Sequence, residues 1–343
     1  GSGIGTVGSP GTAKNVITVG ASENVHSHST ANGGNSSSGN DGCVTPDSEA
    51  NSAYDIATFS SRGPCDDGRQ KPDLVAPGTH ITGGAPQSLL TTMGTGSAIS
   101  CFDGVGVCGL PGSGTIGSAN NFFPLGQQFY TTSSGTSHST PAVAAACALL
   151  RQYFLNASLP PPSAAMTKAF LVNSARYMIG ASANDTLPSP HQGMGAVNLG
   201  TAFDGVARVL RDQRSVDKFT ASGQFRTIQG RIVDSEKPFR VTLAWTDAPG
   251  STTGNAYNNN LDLTVTAAGQ TYKGNVFSGD VSIPGGNADF RNNLESVFIP
   301  AGASGSFSVT VTAVNINSDG VPNEAPALDQ DYALVIYNAE ETT

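Results

Sequence analysis

Two parts of different fold class are predicted: an α/β part with a parallel sheet and buried helices, then an all-β antiparallel sandwich. Three observations predict them. Before about residue 212, short apolar runs that end in Gly or Pro are followed by a helical stretch rich in Ala and Leu and a second with apolar residues at helical spacing. After it, apolar residues recur with period two between turn residues. At 343 residues the chain is also long for a single domain of ~100–200 residues. The expected division is 1–212 and 213–343.

Each element follows from its residues. Asn15 to Gly20 (Asn-Val-Ile-Thr-Val-Gly) and Leu74-Val75-Ala76 before Pro77-Gly78 are apolar and partly β-branched, which predicts buried strands. Residues 27–53 are rich in Ser, Asn and Gly with little apolar content, and about 84–125 holds the close pair Cys101 and Cys108 and several glycines, so both are expected as surface excursions. Thr140 to Phe154 is Ala- and Leu-rich with apolar residues all round, the pattern of a helix buried on every side. Pro160-Pro161-Pro162 stops it. Ser163 is then an N-cap candidate for a second helix, Ala164 to Tyr177. Five alternating runs follow, beginning at Phe225, Phe239, Leu261, Ser306 and Tyr332.

Composition removes several function classes. Seventeen basic against 26 acidic side chains give a net charge of −9, the wrong sign for binding a phosphate backbone. No run approaches the ~18–20 apolar residues that span a bilayer. Five cysteines leave at least one unpaired: Cys101–Cys108 and Cys43–Cys65 are the expected bridges, and Cys147, in the Ala-rich run, reads as a small buried apolar residue. No CxxC pair suggests structural zinc.

Chemistry concentrates in Ser134-Gly135-Thr136-Ser137-His138-Ser139-Thr140-Pro141, a hydroxyl-rich turn leading into a helix. One reading is an ordinary helix start, with Thr140 as cap and Pro141 at the first helical position. The other is a serine aimed at a cleft, where helix-end N–H groups favour a developing oxyanion. Both can hold together.

Gly-Thr-Ser-His-Ser-Thr-Pro at 135–141, followed by Ala-Val-Ala, resembles the nucleophile motif of subtilisin-like serine proteases, the subtilase family. Further stretches fall in the order that family requires: 5–11 leading into 16–21, Phe59-Ser60-Ser61-Arg62-Gly63-Pro64, Lys71 to Gly78, and Gln192 to Asn198. The resemblance implies a partial subtilisin-like catalytic domain over residues 1 to about 210. It implies Ser137 as nucleophile, and Gly8, Ser9, Gly135 and Thr136 as residues bordering a polypeptide substrate. Gly8 and Ser9 supply no charge, so an uncharged side chain is expected before the scissile bond. The family's Asp-Thr-Gly or Asp-Ser-Gly acid, its His-Gly-Thr-His base and its oxyanion Asn are expected upstream of residue 1. The chain alone is therefore expected to be inactive, with the upstream half of the same domain as its partner. No cofactor is expected for the chemistry.

Local substitutes for that base are weak. His138 neighbours Ser137, yet adjacent helical side chains diverge by ~100°. His80 and His191 read as loop histidines, and His26 with His28 makes at best a poor metal pair. Asp73 belongs to the Lys71–Gly78 scaffold motif and reads as structural.

Trp245 to Gly250, Asn258 to Leu263 and Arg291 to Glu295 resemble the C-terminal sandwich, or jelly roll, of some secreted bacterial alkaline subtilases, which implies an extracellular location. Asp247, Asn260, Asp262 and Glu295, with Asn293, are oxygen donors of the kind that hold calcium. The same residues also read as polar turn residues at strand ends. A rival from another class is a non-catalytic adhesion or carbohydrate-binding protein built on a decayed protease scaffold.

Overall fold

The computed structural model describes residues 3–26, 47–84 and 130–342. Strand β1 (Val19–Ser22) runs parallel to β2 (Leu74–Pro77), with Val19 opposite Leu74 and Ser22 opposite Pro77. The Gly-rich stretch near 195 returns along the other edge of β2, where the Val75 N–H donates to Gly195 O at 3.0 Å and the Val197 N–H to Val75 O at 2.9 Å. Gly195 has φ +119° and packs against the Arg176 carbonyl, so no Cβ fits there. Strands β3 (Ile81–Gly84) and β4 (Tyr130–Ser133) pair antiparallel. The predicted excursions 27–53 and 84–125 fall largely outside the described residues.

Helix α1 (Thr136–Asn156) begins four residues earlier than expected, so Ser137 lies within its first turn rather than ahead of it. Ser139, Val143, Ala146, Leu150 and Phe154 form one buried stripe at spacings of three and four. The expected all-round burial is not found. Pro141, Ala142, Ala144, Ala145, Ala148 and Leu149 are exposed, because nothing among the described residues covers that face. Helix α2 (Ala164–Asn173) starts where predicted, with Ser163 Oγ accepting the Met166 N–H at 2.9 Å. A single turn, α3 (Leu199–Ala202), follows.

The second part holds strands β5 (Arg208–Asp212), β6 (Phe225–Ile232), β7 (Phe239–Ala244), β8 (Asn260–Ala267), β9 (Gln270–Lys273), β10 (Phe277–Ser278), β11 (Val281–Ser282), β12 (Leu294–Ile299), β13 (Ser306–Asn315), β14 (Ala333–Tyr337) and β15 (Ala339–Glu341). One antiparallel sheet has the order β12-β7-β14-β5, the other β15-β6-β13-β8-β9. Because β5 already belongs to the first of these, strand-rich structure starts a few residues ahead of 213.

Parity explains the layering. In β7, Phe239, Val241 and Leu243 face the five-stranded sheet, sharing a core with Val265, Val309 and Val311. Ala244 of the same strand, with Leu294, Phe298, Ala333 and Val335 of its neighbours, joins a second core containing Phe170, Leu171 and Val172 from α2. The four-stranded sheet is thus a middle layer with both faces covered, which is why β12 and β14 are buried at every position. Arg240 fastens the layers. Its Nη1 donates to Ala175 O at 2.7 Å while the guanidinium lies over the Phe298 ring.

The cysteine expectations fare unevenly. Cys65 is a buried free thiol, so the expected Cys43–Cys65 bridge is not formed. Burial pushes that thiol up, which keeps it in the unreactive protonated form. Cys43, Cys101 and Cys108 lie outside the described residues. Cys147 is free and half-buried.

Candidate active site

The turn before α1 hangs from the end of β2. The Gly78 N–H donates to Ser22 O at 2.9 Å, and Gly78 O in turn accepts the Gly135 N–H at 2.7 Å. The Ser139 hydroxyl donates to Pro77 O at 3.2 Å, and Ser134 Oγ accepts the His80 N–H at 2.8 Å. These contacts fix the turn on both sides of Ser137. Gly135 is the N-cap of α1, and among the described residues no side chain caps the first turn. Orphan N–H groups and the positive end of a 21-residue helix therefore lie beside an exposed serine.

Gly8 and Ser9 are both exposed, and a Cβ at Gly8 would meet nothing within 4 Å. Their segment is tied at its near end, where the Gly5 and Thr6 N–H groups donate to Gly63 O and Arg62 O at 3.0 and 2.8 Å. At its far end Thr18 Oγ1 donates to Gly11 O at 2.6 Å. This pairing gives the Phe59–Pro64 motif its local task. Gly63 presses against the Lys71 backbone so closely that no side chain fits there.

Among the described residues no hydrogen bond joins the Ser137 hydroxyl to a histidine. His26 and His80 are engaged with each other, each ring Nδ1 lying 2.7 Å from the other's carbonyl oxygen. His191 Nδ1 lies 2.7 Å from Asp185 Oδ2. His28 lies outside the described residues. Asp73 is buried between two lysines, with Lys71 Nζ 2.6 Å from Oδ2 and Lys168 Nζ 2.8 Å from Oδ1, and also accepts the Thr18 N–H at 2.7 Å. Burial raises its carboxyl, but the charges of Lys168 and Lys71 outweigh burial and hold it below the usual range. This ion cluster pins α2 to the segment that precedes β1, since Lys168 Nζ also donates to Lys14 O and Val16 O.

Each calcium candidate has a protein partner among the described residues. Asp247 is satisfied by protein: Oδ2 pairs with Lys14 Nζ at 2.7 Å and accepts the Asn258 N–H, and Oδ1 accepts the Asn259 N–H. Glu295 lies between the two sheets with Oε2 accepting the Leu263 N–H at 2.7 Å. Asp262 Oδ1 accepts from its neighbour Asn260 at 3.0 Å. Among the described residues no three His, Cys, Asp or Glu side chains gather at one place. Through Lys14, Asp247 makes a contact between the two parts. That contact escaped the sequence reading, because nothing local in Lys14-Asn15 marks a partner more than 230 positions away.

A model described as the Subtilase family matches residues 1–195, more than half of the chain. The chain belongs to the subtilase family. Curated relatives of this subtilase include two proteins of Dictyostelium discoideum named Serine protease/ABC transporter B family protein, tagA and tagB. They are 28% and 25% identical over 83% and 76% of this chain, and the match covers 15% of each relative. Serine protease AprX of Bacillus subtilis (strain 168) is 31% identical over 43% of the chain, which corresponds to 23% of AprX. This subtilase sequence thus spans less than a quarter of the length of each of these relatives. The matched region contains Gly8, Ser9, Gly135, Thr136 and Ser137, together with β1, β2, α1 and α2.

Proposed function

We propose that this chain carries the nucleophile of a serine endopeptidase and that Ser137 is that nucleophile. The observation that carries the reading is the exposed Ser137 hydroxyl in the first turn of α1, beside uncapped N–H groups and locked to β2 through Gly78 and Gly135. A helix N-terminus of this kind stabilises negative charge on an attacked carbonyl oxygen. In the reaction, Ser137 Oγ attacks the carbonyl carbon of the scissile peptide as a histidine removes the hydroxyl proton. The tetrahedral oxyanion is held by backbone N–H, the amine leaves with the proton from that histidine, and water releases the acyl group.

The histidine, its orienting carboxylate and a side-chain oxyanion donor come, in this reading, from the rest of the protease domain. The exposed apolar side of α1, with Ala142, Ala145, Ala148 and Leu149, is the surface on which that portion packs. Gly8 and Ser9 with Gly135 and Thr136 border a polypeptide whose side chain before the cut is uncharged. The two antiparallel sheets form a jelly-roll sandwich that braces the α/β part, and an extracellular location goes with the same reading.

Replacing Ser137 by Ala in the intact protease tests it. The expected result is a fall in kcat of ~10⁴–10⁶-fold with KM nearly unchanged. Retained hydrolysis contradicts the assignment.

A further inference from the structure

Resting on that reading of Gly8 and Ser9, we propose that Asp247, in the two-sheet part, is a positioning residue for the substrate-bordering segment of the α/β part. The segment is an arch. Its near foot is the pairing of Gly5 and Thr6 with Gly63 and Arg62, and its exposed crown is Gly8 and Ser9. Its far foot, Lys14 and Asn15, stands on the other part of the molecule.

Five bonds make that far foot. Lys14 Nζ donates to Asp247 Oδ2 at 2.7 Å and to Ala248 O at 2.5 Å. Asn15 and the Asp247 backbone form a closed two-bond pair, with Asn15 Nδ2 donating to Asp247 O at 2.9 Å and the Asp247 N–H donating to Asn15 Oδ1 at 3.0 Å. The same Oδ1 accepts Asn293 Nδ2 at 2.9 Å. Both carboxylate and ammonium are buried, with side chains 1% and 9% exposed. Asp247 is itself rigid, because its two oxygens accept the Asn258 and Asn259 N–H groups.

The arch and the two-sheet part also face each other across open space. Gly5, Val7 and Thr12 line one side of a cleft of about 480 Å³ whose other side is built by Ser251, Thr252 and Asn255. Without the Asp247 contact the far foot keeps only the Thr18–Gly11 and Lys168–Lys14 bonds within the α/β part, and a crown held less firmly shifts where it borders the substrate. The two-sheet part therefore acts on substrate affinity through Asp247 as well as on stability.

The test uses the intact protease with Asp247→Ala and, should that variant fail to fold, Lys14→Met, which removes the ammonium and leaves Asp247 its backbone donors. Lys14→Arg keeps the charge and serves as rescue. The expected result is a KM for peptide substrates raised ~10-fold with kcat within about twofold. Amide hydrogen exchange should quicken in 5–18 and, for Asp247→Ala, also at Asn258 and Asn259, which lose their acceptor, but not elsewhere, and Lys14→Arg should behave as wild type. An unchanged KM, or KM and kcat worsening together with faster exchange throughout the fold, overturns the proposal while the protease reading stands. A wild-type protein without peptide hydrolysis overturns both.

Discussion

The Gly78 carbonyl accepts the Gly135 N–H at 2.7 Å, so the end of β2 and the start of α1 are one hydrogen-bonded unit. Between them there is no spare volume: a Cβ on Gly78 would collide with Ser139 Oγ and lie 2.7 Å from Ala21 Cβ. Gly78→Ala is expected to destabilise the chain by ~1–3 kcal/mol through overpacking. In the intact protease it should lower kcat more than it alters KM, because the displaced turn carries Ser137. Thermal unfolding and steady-state kinetics check this, and wild-type kcat would contradict it.

The buried ion cluster should be expensive to break. Asp73→Asn leaves Lys71 and Lys168 facing each other without an anion, and ~3–5 kcal/mol of stability should be lost in urea unfolding. Lys168 adds a pH signature. Burial pulls its ammonium down to about 8 from 10.5, against the opposing pull of Asp73. Between those two values the unfolded chain holds a proton that the folded chain lacks, so this lysine's contribution to stability rises with pH, by at most ~1.4 kcal/mol per unit. Urea titrations at pH 8 and 10 should show wild type gaining relative to Lys168→Met, and a constant difference would contradict the assignment.

Glu295 should behave in the opposite sense. Burial, with smaller contributions from Asp289 and Asp262, raises its carboxyl well above 4.5 despite the Leu263 N–H. A raised acid contributes fully below the unfolded value and loses that contribution as pH climbs through the folded one. Glu295→Gln keeps an acceptor for Leu263 and lacks the titration. Its stability relative to wild type should improve steadily from pH 4.5 upward. Parallel curves for the two proteins would contradict the burial of an ionisable group between the sheets.

Because Phe170, Leu171 and Val172 share a core with Phe298 and Val335, the α/β part and the two sheets should unfold together. Calorimetry is expected to give one transition, and Phe170→Ala should move it down by a loss of ~3–5 kcal/mol without splitting it. Two resolved transitions would show that the parts are independent.

The elements most legible in the sequence are those with one wet face. β6, β8 and β13 alternate because one side meets solvent, and α2 announces itself through Pro160-Pro161-Pro162-Ser163. β7 and β14, also covered on both faces, are legible as apolar, β-branched runs, whereas Glu295 and Ser296 interrupt Leu-Glu-Ser-Val-Phe-Ile of β12, which shows neither a period nor an unbroken apolar run. α1 misled in the other direction, since an Ala-rich surface reads as burial whether or not a partner is present. At the site, the residues around Ser137 were readable because a turn into a helix is local. The Lys14–Asp247 anchor was not, since its partners meet only through the packing of the two parts. Lys168 was the missed clue: a lone charge in an otherwise apolar helix implies a buried counter-ion, here Asp73.

The most direct measurement is mass-spectrometric mapping of the adduct left by a serine-directed phosphonate on the intact protease. A single adduct on the peptide containing Ser137, lost in Ser137→Ala, is the predicted result. An adduct on another residue, or peptide hydrolysis that continues with Ser137 unmodified, would contradict the account.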